Sequence, residues 1–173
     1  NSARNSGNGT QSTLVSSSSA YSATQAASVS LSAAESSTLQ YMLEEEKLAH
    51  DIYIKMYEKW GVKIFTNISK SESKHQSLVA DAETTFDVAD TRTSSIGVFT
   101  NPDLQNLYND LLLKGLNSQM DAYEVGKSIE ELDIADIKKA IDETESAYLE
   151  SVYGKLLSGS KNHLKAFSSQ LSA

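Results

Sequence analysis

The chain has one proline in 173 residues, Pro102, and it stands directly after an asparagine and before an aspartate. A capping Asn, Pro at the first helical position and an acid in the first turn all mark a helix start. With proline absent elsewhere, long helices are free to run. The apolar residues follow that option: Leu39, Met42, Ala49, Ile52, Tyr53 and Met56 recur with the period of one helix face. This first helix is predicted to be capped by Ser37 or Thr38 and to close at Trp60-Gly61. A second is predicted to open at Thr66 or Asn67 and to run through Ile68, His75, Leu78, Val79 and Ala82 to about Val88. The stretch ADTRTSSIGVFT has no helical period and reads as a crossover loop.

The short helix after Asn101 carries Leu104, Leu107, Tyr108, Leu111 and Leu112 and ends at Gly115. Another is predicted from about Ser118 to Asp142 through Ala122, Val125, Ile129, Ile134, Ile137 and Ile141. The last begins at Thr144 or Glu145, with Tyr148, Val152, Leu156, His163, Leu164 and Phe167 on its buried side. No period-2 strand pattern occurs in this part of the chain. The expected fold is all-α, a four-helix bundle with one crossover connection and an extra short helix.

Residues 1–35 are mostly Ser, Ala, Thr, Asn and Gly, with Arg4 and Glu35 their only charges, so the bundle domain is expected over residues 36–173. Within the tail, Leu14, Val15, Tyr21, Val29 and Leu31 lie among small residues. Such an extended segment could add a strand to a neighbouring subunit. The expectation that follows is a homo-oligomer joined through residues 1–35, and in its open form an extracellular homopolymer or filament.

A formal net charge of −8, with no Lys/Arg cluster to form a basic face, argues against nucleic-acid binding. There is no apolar run of about 20 residues to span a membrane. The chain begins at Asn1 without Met, and the reading is an exported protein whose signal peptide has been removed, extracellular or at the cell surface. With no cysteine there are no disulfides and no thiolate chemistry. Asn8-Gly9-Thr10 and Asn67-Ile68-Ser69 fit the glycosylation acceptor pattern. No Ser-His-Asp order or nucleotide-binding glycine loop is present.

The polar residues on the apolar stripes carry the functional signal. Glu72 and His75 fall in the series Ile68, Glu72, His75, Val79, Ala82, and Glu45 falls in Met42, Glu45, Ala49, Ile52. A charge on the core side of a helix needs a partner, since burying it alone costs several kcal/mol. The run Glu44-Glu45-Glu46 covers enough arc that at least one member must face inward. The second half of the domain repeats the order, with Glu130 on Gly126, Glu130, Ile134, Ile137, and His163 on the last helix. Two helix pairs, each offering Glu and then His, are what a carboxylate-bridged metal pair requires. His50 reads as surface, and Tyr53, Tyr123, Tyr148 and Tyr153 as packing residues with hydroxyls at the bundle edge.

The blocks YMLEEEKLAHDIY, FTNISKSESKH, GVFTNPDLQNLY, VGKSIEELDIADI and SGSKNHLKAF, in that order between about Leu39 and Leu171, resemble a ferritin-like, rubrerythrin-related domain family of unknown function, common in archaea and bacteria. The resemblance implies a di-iron or di-manganese centre, with one Glu from each of two helices and Glu-x-x-His from each of the other two. Glu45 or Glu46 matches the first Glu, Glu72 and His75 the first Glu-x-x-His, Glu130 or Glu131 the second Glu, and His163 the second His. In this scheme Glu72 and Glu130 are candidate bridges, Glu45 a terminal ligand, and His75 and His163 give one imidazole each. Ser160 stands where the pattern has a second bridging carboxylate, and Glu131, Asp133 or Asp136 are the candidates to replace it. The implied role is metal binding or oxidant chemistry with iron or manganese.

Overall fold

The computed structural model describes residues 30–173, which form five helices and no strand. These are α1 (Ala33–Trp60), α2 (Lys63–Thr85), α3 (Pro102–Gly115), α4 (Gln119–Glu143) and α5 (Ala147–Leu171). Residues 1–29, on which most of the strand-addition expectation rests, lie outside the described residues.

Helix α1 starts ahead of the expected Ser37 or Thr38 cap. Ser32 and Glu35 form a reciprocal capping box, Ser32 Oγ accepting from the Glu35 N–H at 3.1 Å and the Glu35 carboxylate accepting from the Ser32 N–H at 2.9 Å. The same Glu35 accepts from Thr144 Oγ1 at 2.8 Å, which ties the start of α1 to the α4–α5 turn. Residues 33–35, read from composition as tail, are thus the first turn of the bundle.

Gly61 ends α1 in the left-handed conformation, with φ of 66°. The chain reverses there, and α2 begins at Lys63 behind a Val62 cap that makes no side-chain bond. That is earlier than the Thr66 or Asn67 start, because burying Phe65 sets this boundary and no capping residue signals it. The α3 start is as expected: Asn101 Oδ1 accepts from the N–H groups of Asp103 and Leu104. Ser118 and Ser146 cap α4 and α5.

Contacts between side chains fix the directions. Glu46 meets His75, Ser160 meets Asp133, Ser71 meets His163, and Tyr53 meets Glu130, so neighbouring long helices are antiparallel around the bundle. It follows that α2 and α4 run in the same direction, and the chain between them has to travel the length of the bundle. It does so along α1. Gln40 Nε2 donates to Ala89 O, Lys47 Nζ to Ser95 O and Val98 O, and Trp60 Nε1 to Gly115 O at the far end of α3.

The apolar core is in two parts. One gathers Leu48, Ile52, Met56, Phe65, Tyr123, Val125 and Phe167, the other Leu39, Met42, Leu43, Val79, Ile137, Leu149 and Leu156. Between them lies a buried polar layer that contains Glu44, Glu45, Glu46, Glu72, His75, Glu130, Asp133, Ser160 and His163.

Candidate metal centre

Consecutive helical residues are separated by about 100°, so Glu44, Glu45 and Glu46 point in three directions, yet all three are buried. Glu44 turns to the crossover, where its two oxygens accept from the Thr100 and Asn101 N–H groups at 3.0 and 2.8 Å. This anchors the loop at the start of α3. Glu45 turns toward α4, where Asp133 and Asp136 are its carboxylate neighbours. Glu46 turns toward α2, where its Oε2 lies 3.0 Å from His75 Nδ1.

Glu72 is the centre of the layer. Its Oε2 is 3.0 Å from His75 Nδ1 and its Oε1 is 2.8 Å from His163 Nδ1. His163 Nδ1 lies 3.5 Å from Glu130 Oε2. Two triads result, Glu46, Glu72, His75 and Glu72, Glu130, His163, each with ligand atoms within 4.8 Å of one another, and they share Glu72. The imidazole rings face each other with centroids 5.5 Å apart.

The His163 contact carries the most chemical information. Nδ1 and Glu72 Oε1 are close, but the oxygen lies off the N–H direction, and neither atom has a hydrogen-bond partner. The other ring nitrogen, Nε2, sits 3.0 Å from Ser71 Oγ. A proton on Nε2, donated to Ser71, leaves the Nδ1 lone pair directed into the triad, the arrangement a metal-bound imidazole needs. Glu46 Oε1 and both oxygens of Glu45 are likewise buried without a donor.

Without a cation the same carboxylates hold both imidazoles protonated, so a metal at His163 has to displace its Nδ1 proton. Burial, then Asp133, pushes the Glu45 and Glu46 carboxyls well above the usual range. Burial raises Glu130 to about 7 and Asp133 to about 8. Burial also works against Glu72, but its pairing with His163 and His75 outweighs it and holds this carboxyl down at about 2. Burial opposes the charged imidazoles too, yet Glu46 and Glu72 carry His75 up to about 11, and Glu130 and Glu72 carry His163 up to about 9. Five carboxylates against two imidazoles leave a negative excess in a water-poor layer, and protons or cations must neutralise it.

Two supporting residues complete the layer. The Tyr53 hydroxyl donates to Glu130 Oε1 at 2.6 Å and is fully buried, so this tyrosine is at the centre rather than at the bundle edge. The hydroxyl of Ser160 donates to Asp133 Oδ2, and Asp133 Oδ1 has no partner. Asp133, a turn beyond Glu130 on α4, is therefore the carboxylate on the side where α5 offers only a hydroxyl.

Of the residues expected from sequence, Glu72, His75, Glu130 and His163 come together. Glu45 does not join either triad, and Glu46 takes the place beside His75. Glu131 is exposed and faces Lys127 at 3.6 Å. His50 is half-buried, with Nδ1 2.8 Å from Asp51 Oδ1, and the neighbouring Lys47 and Asp51 form a buried pair. Tyr123 accepts from Gln119 Nε2, Tyr148 is partly exposed, and the Tyr153 hydroxyl has no partner. None of the described helices is long and apolar enough to cross a membrane.

The model of a family described as an uncharacterized protein domain (DUF2202) matches residues 35–173. The uncharacterized protein MJ0754 of Methanocaldococcus jannaschii is 44% identical over 138 residues, 79% of this chain and 75% of that protein. The crystal structure of the same protein, described there as hypothetical, superposes with a TM-score of 0.82 at 42% identity, covering 83% of each chain.

Proposed function

The chain belongs to the DUF2202 domain family, and from that premise we propose that it is a ferritin-like protein whose bundle core holds a pair of divalent metal ions bridged by Glu72. The observation that carries the reading is the pair of ligand triads sharing one carboxylate, with an unpartnered imidazole nitrogen and unpartnered carboxylate oxygens aimed between the helices. Buried polar atoms are otherwise almost always satisfied. Several unsatisfied at one place, all of them metal-ligand atom types, fit a cation better than they fit a structural polar core.

Glu46 and His75 would serve one ion, Glu130 and His163 the other, and Glu72 both. Carboxylates and imidazoles with no thiolate suit iron or manganese. The antiparallel neighbours and the crossover along α1 support the ferritin-like reading, since such bundles are wired with one long crossover. Bound iron or manganese would supply one-electron chemistry toward an oxidant. The protein's own part is to fix the five ligands on four helices, orient Glu130 through Tyr53 and His163 through Ser71, and keep the layer nearly dry between two apolar clusters.

The test is elemental analysis of protein purified without chelator, next to a His75→Ala/His163→Ala double variant. Up to two iron or manganese ions per chain in the first and a large loss in the second are expected. Absence of bound metal from both would sink the reading.

A further inference from the structure

Glu45, Asp133 and Asp136 lie beside the two triads and belong to neither. Glu45 is 2% exposed, both its oxygens lack a donor, and the Asp136 carboxyl is within hydrogen-bonding reach of it. Asp136 is half-buried and lines a cleft of about 480 Å³ between α1 and α4, together with Tyr41, Lys139 and Glu143. Lys139 is held by Glu143 at 3.0 Å, which partly neutralises the one cation among the lining residues. Inward of Glu45 lies Asp133, buried, with one oxygen free. On α4 the positions 130, 133 and 136 each turn about 60° from the last and rise about 4.5 Å along the axis, which carries the row from buried Glu130 and Asp133 to half-buried Asp136.

Resting on the metal-centre reading, we propose that the α1–α4 cleft is the loading path of that centre, along which a divalent cation is drawn to Asp136 and handed through Glu45 and Asp133 to Glu46, Glu72 and Glu130. Among the described residues only the two Glu72-centred triads converge closely enough to hold an ion. Glu45 and Asp136 are in neither. A path has to attract a cation without trapping it, and staggered carboxylates with unpartnered oxygens do that. Glu44, beside it on the same helix, is answered by two backbone N–H groups, whereas the neighbours of Glu45 are other acids, Asp133 and Asp136.

The experiment mixes metal-free full-length protein with Co(II) in a stopped-flow instrument and follows the absorption of the bound ion, with equilibrium stoichiometry measured separately. Asp136→Asn and Glu45→Gln, both near-isosteric, are compared with the wild type and with Asp142→Asn, an exposed acid on α4 outside the cleft. Local carboxylates raise cation on-rates by about tenfold or more. Loading slowed by at least that factor in the first two variants, with unchanged final stoichiometry and a wild-type rate in Asp142→Asn, is the expected result. Full loading of Asp136→Asn at the wild-type rate would overturn the path and leave the centre standing. Reduced stoichiometry in Glu45→Gln would overturn it as well, since Glu45 would then be a ligand. Wild-type protein that takes up no more Co(II) than the His75→Ala/His163→Ala variant would overturn both.

Discussion

Ser160 donates its hydroxyl to Asp133 across the α4–α5 seam, and both side chains are buried. On the proposed ferritin-like reading Ser160 stands at the α5 position of a second bridging carboxylate; it carries a donor, and the carboxylate it serves comes from the opposite helix. The charge count of the layer is restored, but Asp133 is left out of both triads.

Ser160→Ala therefore removes a hydrogen bond to a buried acid without removing a metal ligand. Burial raises the Asp133 carboxyl to about 8, so at neutral pH the bond joins neutral groups, and such a bond contributes about 0.5–1.5 kcal/mol; the chemical-denaturation midpoint of the metal-free protein should fall accordingly. Metal stoichiometry should stay that of the wild type. Asp133→Asn keeps a partner for Ser160 and removes an acid that folding has to protonate at neutral pH, so the metal-free variant should be at least as stable as the wild type. If Ser160→Ala instead empties the site, the serine has a role nearer the metal than its bond to Asp133 gives it.

Tyr53→Phe tests the other support. Phe keeps the packing against Phe65 and Phe167, whose ring centroids lie 6.3 and 5.3 Å away, and deletes the bond to Glu130 with the longer contact to Gly126 O at 3.4 Å. Residues that orient a ligand typically contribute about 10–100-fold in metal affinity. A loss of that size by chelator competition, together with a fall in metal-free stability no larger than the about 1–3 kcal/mol that one lost buried hydrogen bond brings, is the expected pair of results. Unchanged affinity would reduce Tyr53 to a packing residue.

Much of this was legible in the residues. Glu72, His75, Glu130 and His163 all fall on apolar stripes, and a stripe fixes which face a side chain presents. The choice between Glu45 and Glu46 was not, because adjacent helical residues differ by about 100° and both directions are buried in a bundle with neighbours on two sides. The role of Tyr53 was hidden for a different reason: a tyrosine on an apolar stripe packs in the same way whether or not its hydroxyl meets a carboxylate across the core. Asp133 could be found as a third member of the α4 face after Glu130, whereas its bond to Ser160 depends on the register of α5 against α4. The α1 start was missed because Ser32 lies in a run of small polar residues where several could cap, and only the pairing with Glu35 selects it.

Glu83 gives a pH dependence separate from the centre. It is buried on α2 with both oxygens unpartnered, and burial, then Asp90, raises its carboxyl to about 7, with Arg92 only partly offsetting. An acid whose folded pKa lies above its unfolded value of 4.5 costs nothing when both states are protonated. The cost grows as pH rises from the unfolded pKa to the folded one and is complete above it. Glu83→Gln should therefore melt with the wild type at about pH 4 and a few degrees higher at about pH 8. Equal melting temperatures at both would mean that the carboxylate is solvated in the folded protein.

Two glycines on α5 make a matched pair of opposite sign. Gly154 is exposed, with open space where a Cβ would stand, and alanine there should stabilise by about 0.5–1 kcal/mol because helical glycine carries that penalty. At Gly159 a Cβ would collide with Nε2 and Cε1 of His75, a ring already fixed between Glu46, Glu72 and the α5 backbone. Gly159→Ala should then displace His75 and weaken the Glu46, Glu72, His75 triad, while Glu72, Glu130 and His163 stay in place. Metal titration should show the two ions separated in affinity, one bound as in the wild type and the other lost or weakened. Simultaneous loss of both would mean that Glu72 needs His75 to hold its position, and that the shared carboxylate, rather than either histidine, is where the centre is weakest.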